Sequence, residues 1–292
     1  MTVADAIERA ADFIAGAEGL LIAAGAGMGV DSGLPDFRGA EGFWRAYPAL
    51  AQAGIRFEEI ASPVSFRLDA ARAWGFYGHR LNLYRATVPH AGFGILRRWA
   101  DTKPRGAFVV TSNVDGQFQR AGFSDVLEVH GSIHRLQCLE ACDDAAWSAD
   151  GVLLDVDEER CALRSAAPRC RHCGGLARPN VLMFGDPYWV DQETEAQRQS
   201  LERWLAGAGR VVVVECGAGT AIPSIRAMSR RVAVGYDAPV IRINPRQPEL
   251  EVPGIELALG AREALERIDR AMEGGGPPGN ASKQRAGVGG AP

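Results

Sequence analysis

The sequence predicts an α/β protein, a parallel sheet packed between helices, with a smaller lobe built from a helical insert and a cysteine-rich module. Three observations lead there. Short apolar runs of strand length recur along the chain and alternate with helical or irregular stretches, the pattern of a parallel sheet buried on both faces. The first run, Gly19-Leu20-Leu21-Ile22-Ala23-Ala24, ends in Gly25-Ala26-Gly27, as a buried strand does on entering a tight turn. Five of the six cysteines fall between residues 137 and 176, in a polar stretch with no periodicity.

In chain order, Ala6, Ile7, Ala10, Phe13 and Ile14 recur at helical spacing with acidic residues between them, which predicts an amphipathic helix ahead of the first strand. Residues 43–85 are rich in aromatics and arginine at helical spacing, without a buried-strand run, and read as the helical insert. The next strands are expected at Ala107 to Thr111 and Val126 to Val129, and the last two at Arg210 to Val214 and Pro239 to Ile243. Glycine, proline, asparagine and serine dominate from Gly274, so 273–292 is expected to be a disordered tail. The sheet domain is therefore discontinuous, made of 1–42, 86–136 and 177–272, while 43–85 and 137–176 form the small lobe.

The 292 residues are 47% hydrophobic and 23% charged, ordinary values for a folded globular chain. A formal net charge of −4 supplies no basic field for nucleic acid, so no nucleic-acid partner is expected. The first twenty residues carry Asp5, Glu8, Arg9, Asp12 and Glu18, unlike a secretory signal, and no run reaches the roughly 18 apolar residues of a membrane span. The expectation is a cytoplasmic protein with no membrane partner.

The first strand, its glycine turn and the helix expected behind it suggest a Rossmann-like dinucleotide site, because residues without side chains let backbone N–H groups approach a diphosphate. Val30 stands where a third glycine would complete G-x-G-x-x-G, and no acidic residue ends a second strand about 20 positions later. Hydride-transfer dehydrogenases are disfavoured on both counts.

Ser112-Asn113-Val114-Asp115 puts an amide and a carboxylate just past the second strand, where they either orient a ligand or cap the next helix. His130 ends the third strand and is followed by Gly131; its ring titrates near neutrality and can accept a proton at physiological pH. Cys138 and Cys142, then Cys170 and Cys173, are two pairs at the spacing of a tetrahedral structural zinc site, whose four thiolates leave no open coordination position. Cys161 and Cys216 remain as bystanders.

Gly25 to Gly39, including Asp36-Phe37-Arg38, resembles the cofactor signature of the sirtuins, NAD-dependent protein deacylases, and further motifs follow in the same order. The resemblance implies NAD as co-substrate, held by Gly25, Ala26, Gly27, Asp36, Phe37, Arg38, Ser112, Asn113, Asp115, Gly217, Ala218 and Asn244. It implies His130, Asn113 and Asp115 as the catalytic residues. The acyl oxygen of a modified lysine would attack the nicotinamide ribose, nicotinamide would leave, and His130 would activate a ribose hydroxyl to give free lysine and O-acyl-ADP-ribose. Phe37 would shield the nicotinamide from water. An acylated lysine on a protein substrate is the implied partner, flanked by Val181, Phe184 and Gly185.

Trp74-Gly75-Phe76-Tyr77-Gly78-His79-Arg80 is similar to the W-x-F-Y-x-x-R stretch of sirtuins that remove acidic acyl groups such as succinyl, with Tyr77 and Arg80 one helical turn apart. The chain departs from the family at Ser112, where sirtuins carry glutamine, in the letters around Gly217, and in the Cys138–Cys142 spacing, one residue longer than C-x-x-C. The first two departures motivate one alternative, an ADP-ribosyltransferase or NAD glycohydrolase; a non-catalytic NAD-sensing module is the third reading.

Overall fold

The computed structural model describes residues 1–35, 39–207 and 209–274. Chain order begins with helix α1 (Val3–Gly16) and strand β1 (Gly19–Ala24), then helices α2 (Gly39–Ala46), α3 (Pro48–Gln52), α4 (Phe57–Ile60), α5 (Pro63–Leu68), α6 (Ala70–Ala86) and α7 (Ala91–Asp101). Strand β2 (Ala107–Thr111), α8 (Gln117–Arg120) and β3 (Val126–Glu128) follow, then β4 (Gly131–Cys138), β5 (Trp147–Ser148), β6 (Val156–Asp157), β7 (Ala162–Leu163) and β8 (Ala177–Val181). The chain returns through α9 (Gln192–Ala206), β9 (Val211–Cys216), α10 (Ser224–Tyr236), β10 (Val240–Ile243), β11 (Gly254–Leu257) and α11 (Ala261–Gly274).

Six strands form one sheet in the order β11-β10-β9-β1-β2-β3, and every pair in it is parallel. Read from β3, this is the 3-2-1-4-5-6 order of doubly wound nucleotide-binding folds, with the direction of winding reversing between β1 and β9. The period of two in the strands explains the layers. Leu20, Ile22 and Ala24 pack with α1, α7 and α11, while Leu21 and Ala23 face the opposite way, toward Leu201 and Leu205 of α9 and Ile225 and Val232 of α10. Thr2 starts α1 through a reciprocal cap: its hydroxyl accepts from Asp5 N at 3.2 Å and its own N–H donates to the Asp5 carboxylate at 3.0 Å.

The helical insert and the cysteine-rich segment share one core. Phe43, Phe66, Trp74, Phe76 and Leu81 pack with Ile133, Leu136, Leu139, Leu154 and Val181. Helix α6 runs through the middle of it, which is why its sequence lacks a polar face: nine of its residues, Trp74, Tyr77 and Arg80 among them, are buried. Gly75 is needed there because a Cβ would lie 2.3 Å from the Cys161 carbonyl oxygen. Strands β5, β4 and β8 make a small antiparallel sheet beside this core.

Two features differ from the sequence expectation. The helix expected after the β1 turn is replaced by two short 3₁₀ turns, Ala26–Met28 and Val30–Ser32, because glycines at 25, 27, 29 and 33 interrupt any longer helical run. Strand β11 carries no apolar run; Gly254-Ile255-Glu256-Leu257 is an edge strand whose alternation spans only two apolar residues. Helix α11 continues through Glu273 and Gly274, and 275–292 lie outside the described residues.

Candidate active site

The winding reversal opens a crevice at the carboxyl ends of the strands, and a cavity of about 670 Å³ occupies it. Each wall comes from a different element. Gly25 and Ala26 follow β1; Ser112, Asn113 and Asp115 follow β2; His130 follows β3; Gly217 and Ala218 follow β9. Tyr77, Arg80 and Tyr84 enter from α6, and Val181 through Asp186 close the side toward the small lobe.

The two glycine turns are packed backbone against backbone. A Cβ on Gly25 would fall 2.8 Å from both Ala218 Cα and the Gly217 oxygen, and one on Gly217 would fall 2.4 Å from Gly27 C and Met28 N. Gly217 also sits at φ 64, a left-handed conformation that glycine adopts without penalty. Gly25 N–H donates to the Cys216 carbonyl at 3.0 Å and Gly27 N–H to the Gly217 carbonyl at 3.1 Å. The result is a floor that carries no side chain at Gly25 or Gly217 and only methyl groups at Ala26 and Ala218, a surface whose backbone a ligand can approach closely.

Asn113 donates from its side-chain amide to the Gly25 carbonyl at 3.0 Å, tying the β2 loop to the glycine floor. Asp115 is buried, and its Oδ1 accepts from the Gln117 amide at 2.9 Å. Burial pushes its carboxyl up to about 6, against the opposing pull of that hydrogen bond and of the Arg80 charge. His130 is displaced the other way: burial lowers its pKa, and a hydrogen bond to the backbone of Ser112 only partly offsets this. The ring is therefore mostly neutral at pH 7, the state a base requires. Its Nε2 lies 3.3 Å from Ser224 Oγ at the start of α10.

On α6, Arg80 is 8% exposed; its guanidinium lies 5.2 Å, 5.7 Å and 5.4 Å from the ring centres of Phe76, Tyr77 and Tyr84, and donates from Nε to Tyr84 Oη at 2.9 Å. Opposite it, Phe184 N–H donates to the Ala61 carbonyl at 2.9 Å, and a fully buried ion pair between Arg178 Nη2 and Asp186 Oδ2 at 2.7 Å fixes the 182–186 segment against β8.

Away from the cavity, the sulfurs of Cys138, Cys142, Cys170 and Cys173 all lie within 4.8 Å of one another. Cys138 and Cys173 are separated by 3.7 Å and Cys142 and Cys170 by 3.6 Å, too far for disulfides at about 2.05 Å. Zn–S bonds of about 2.3 Å in a tetrahedron put sulfurs about 3.8 Å apart, so the donor set fits one zinc. His172 N–H donates to Cys170 Sγ and Gly175 N–H to Cys173 Sγ, each at 3.4 Å, which stabilises thiolates. The extra residue between the first two cysteines is accommodated by Ala141 at φ 44. Cys161 and Cys216 are buried elsewhere, and burial pushes the Cys161 thiol up to about 12.

The profile of the Sir2 family matches residues 25–206. The chain belongs to the Sir2 family. Among similar proteins, the NAD-dependent protein deacylase 2 of Pyrobaculum aerophilum is 33% identical over 88% of this Sir2-family chain and 92% of its own length. The NAD-dependent protein deacylase 1 of Pseudomonas aeruginosa is 33% identical over 90% and 98% respectively. A crystal structure of a Sir2 homolog–NAD complex superimposes with a TM-score of 0.67 at 24% identity, covering 91% of this chain and 94% of that one, and so supports the fold.

Of the residues singled out in this Sir2-family sequence, Gly25, Ala26, Tyr77, Arg80, Ser112, Asn113, Asp115, His130, Val181, Phe184, Gly185, Gly217 and Ala218 line the one cavity. Gly27 lies beneath it. Asn244 does not line it: its Nδ2 donates to the Ala218 carbonyl at 2.9 Å and its Oδ1 accepts from the Arg246 and Gln247 amides, so its side chain holds the Gly217 turn in place. Asp36, Phe37 and Arg38 lie outside the described residues. Sequence reasoning missed Tyr84 and Ser224. Tyr84 falls on the Tyr77/Arg80 face at i+7 and was legible from helical spacing; Ser224 carried no signal, since it reaches His130 across 94 residues.

Proposed function

We infer that this chain is an NAD-dependent protein-lysine deacylase that transfers the acyl group of a modified lysine to the ribose of its co-substrate. The carrying observation is convergence on one cavity of the side-chain-free floor at Gly25 and Gly217, the Asn113/Asp115 loop and a mostly neutral His130, beside the open 181–186 segment. The co-substrate supplies a ribose–nicotinamide bond whose rupture drives the transfer. The chain's residues do the rest. The glycine floor seats the diphosphate, Asn113 and Asp115 orient the nicotinamide end, His130 takes a proton from a ribose hydroxyl through a ring nitrogen, and the apolar walls of Val181 and Phe184 exclude water.

In this reading acidic acyl groups such as succinyl are removed at least as well as acetyl. Arg80 is a desolvated cation beside the cavity with Tyr77 next to it, and an acyl carboxylate there gains a charge-assisted hydrogen bond that acetyl cannot make. A cytoplasmic setting belongs to the same proposal, because a four-thiolate site is suited to a reducing compartment; among the described residues no helix is long and apolar enough to cross a membrane.

The test is incubation with NAD and succinyl-, acetyl- or unmodified-lysine peptides, products being followed by mass spectrometry. Nicotinamide release that depends on the acyl peptide, and that His130→Tyr abolishes, is the expected result. Release without acyl peptide, or label transferred to protein, would instead establish the ADP-ribosyltransferase or glycohydrolase alternative, and NAD binding without turnover the sensor. For acyl choice, Arg80→Met should lower kcat/KM for the succinyl peptide at least tenfold more than for the acetyl peptide; equal losses would refute the assignment.

A further inference from the structure

A second cavity of about 660 Å³ lies on the far side of the Asp115 loop. Tyr84 and Asp115 line both cavities. Its walls come from the end of α6, from α8, from β4 and β5, and from α9, and of its lining residues only Asp115, on the shared wall, has a part in the reaction described above.

The charge in this cavity is unevenly compensated. At the α9 end, Arg135 lies 3.0 Å from the Glu193 carboxylate and 3.9 Å from the buried Glu128 carboxylate, so two acids share one cation. At the opposite end, Arg85 donates from Nη1 to the Val152 carbonyl and from Nη2 to the Ala149 carbonyl, both at 2.7 Å, and Arg120 donates to the Arg85 carbonyl. Neutral carbonyls hold these guanidinium groups in position without cancelling their charge. Neither arginine makes an ion pair with a described residue; of the two carboxyls lining that end, Asp150 is exposed to solvent and Asp115 is buried on the shared wall, where burial opposes its ionisation. The cavity is thus dipolar, positive and preorganised where α6 meets α8 and negative at α9.

We propose that this second cavity binds a small polyhydroxylated anion, a sugar phosphate or sugar acid, with its anionic group at Arg85 and Arg120 and its hydroxyls toward Glu193. Two fixed guanidinium groups match a phosphate or carboxylate, and an acidic end with an excess of acceptors matches hydroxyl donors. The volume lies within the range of small-molecule sites. The ligand also has a route to the first cavity. His134 lines this second cavity beside the shared wall, its Nε2 is 2.9 Å from the Asp115 carbonyl oxygen, and it packs so closely on Gly116 that a Cβ there would meet its Cδ2 at 2.7 Å. A ligand against His134 therefore bears on the backbone that carries Asp115.

Calorimetric titration of the full chain without NAD tests the assignment, with ribose 5-phosphate, ribonate, inorganic phosphate and ribose as separate probes. Ribose 5-phosphate or ribonate should bind at least tenfold more tightly than phosphate or ribose, and whichever of the two binds better identifies the anion. Arg120→Glu, an exposed substitution that leaves the core untouched, should weaken that binding at least tenfold, as should Arg85→Gln if it folds. Phosphate binding as tightly as ribose 5-phosphate, binding unchanged in Arg120→Glu, or no binding of either sugar anion would each overturn the proposal. These readouts need no turnover, so a failed deacylase assay leaves them standing.

Discussion

Asp115 pits stability against function at a single carboxyl. The group ionises at 3.8 when exposed and near 6 when buried beside the cavity, so between these values the native chain binds the proton more tightly than the unfolded one. Stability must then fall as pH rises from about 4 to about 6, by about 3 kcal/mol if the whole shift is expressed, and stay level with respect to this group above that. Asp115→Asn keeps the acceptor for the Gln117 amide and removes the titration. Denaturant melts should show the variant gaining on the parent by up to about 3 kcal/mol between pH 4 and pH 7, while deacylation is lost; a difference independent of pH would refute the burial argument. For activity the sign is opposite, since the ionised carboxylate accumulates as pH rises through about 6. His130, its pKa lowered by burial, deprotonates at a lower pH than a free imidazole, so its change of state runs in the same direction.

At the scale of elements, the paired glycine turns are the part of the site most legible in sequence, and the reason is steric. A turn that must lie on another turn's backbone can carry no Cβ. Gly217→Ala places one 2.4 Å from backbone atoms at a positive φ, and should cost roughly 2–4 kcal/mol by denaturant titration along with most nucleotide affinity. Gly33→Ala, at φ 85 but with open space around it, should cost only about 1–2 kcal/mol. If the two variants are equally destabilised, contact between the turns is not what selects the glycine. The Arg178–Asp186 pair was invisible in sequence because each partner alone reads as a surface charge. Asp186→Ala strands a fully buried guanidinium and should cost about 3–5 kcal/mol, whereas Arg178→Met with Asp186→Leu should recover most of that. The edge strand β11 was missed for a related reason: with one face against the core and one in water, four residues offer too few apolar positions to mark a strand.

Across the whole molecule, the cysteine cluster and the helical insert stand or fall together because they share a core. Stripping the metal with a strong chelator should release one zinc per chain and lower the melting temperature by 5 °C or more, with loss of acyl-peptide binding ahead of loss of the sheet. Unchanged melting after complete metal removal would show that packing alone holds the lobe. The sequence by itself determined the parallel sheet, the glycine turns, the thiol pairs and the order of the chemical motifs. Each of these depends on local constraints: a period of two, a missing Cβ, or a fixed spacing between ligands. Only the tertiary structure decided that the motifs meet at one winding reversal, that Asn244 braces a turn instead of lining the cavity, that Ser224 faces His130, and that a second, dipolar cavity backs onto Asp115. Those depend on which charges remain unpaired and which chain segments pack together across tens of residues, and no local pattern records either.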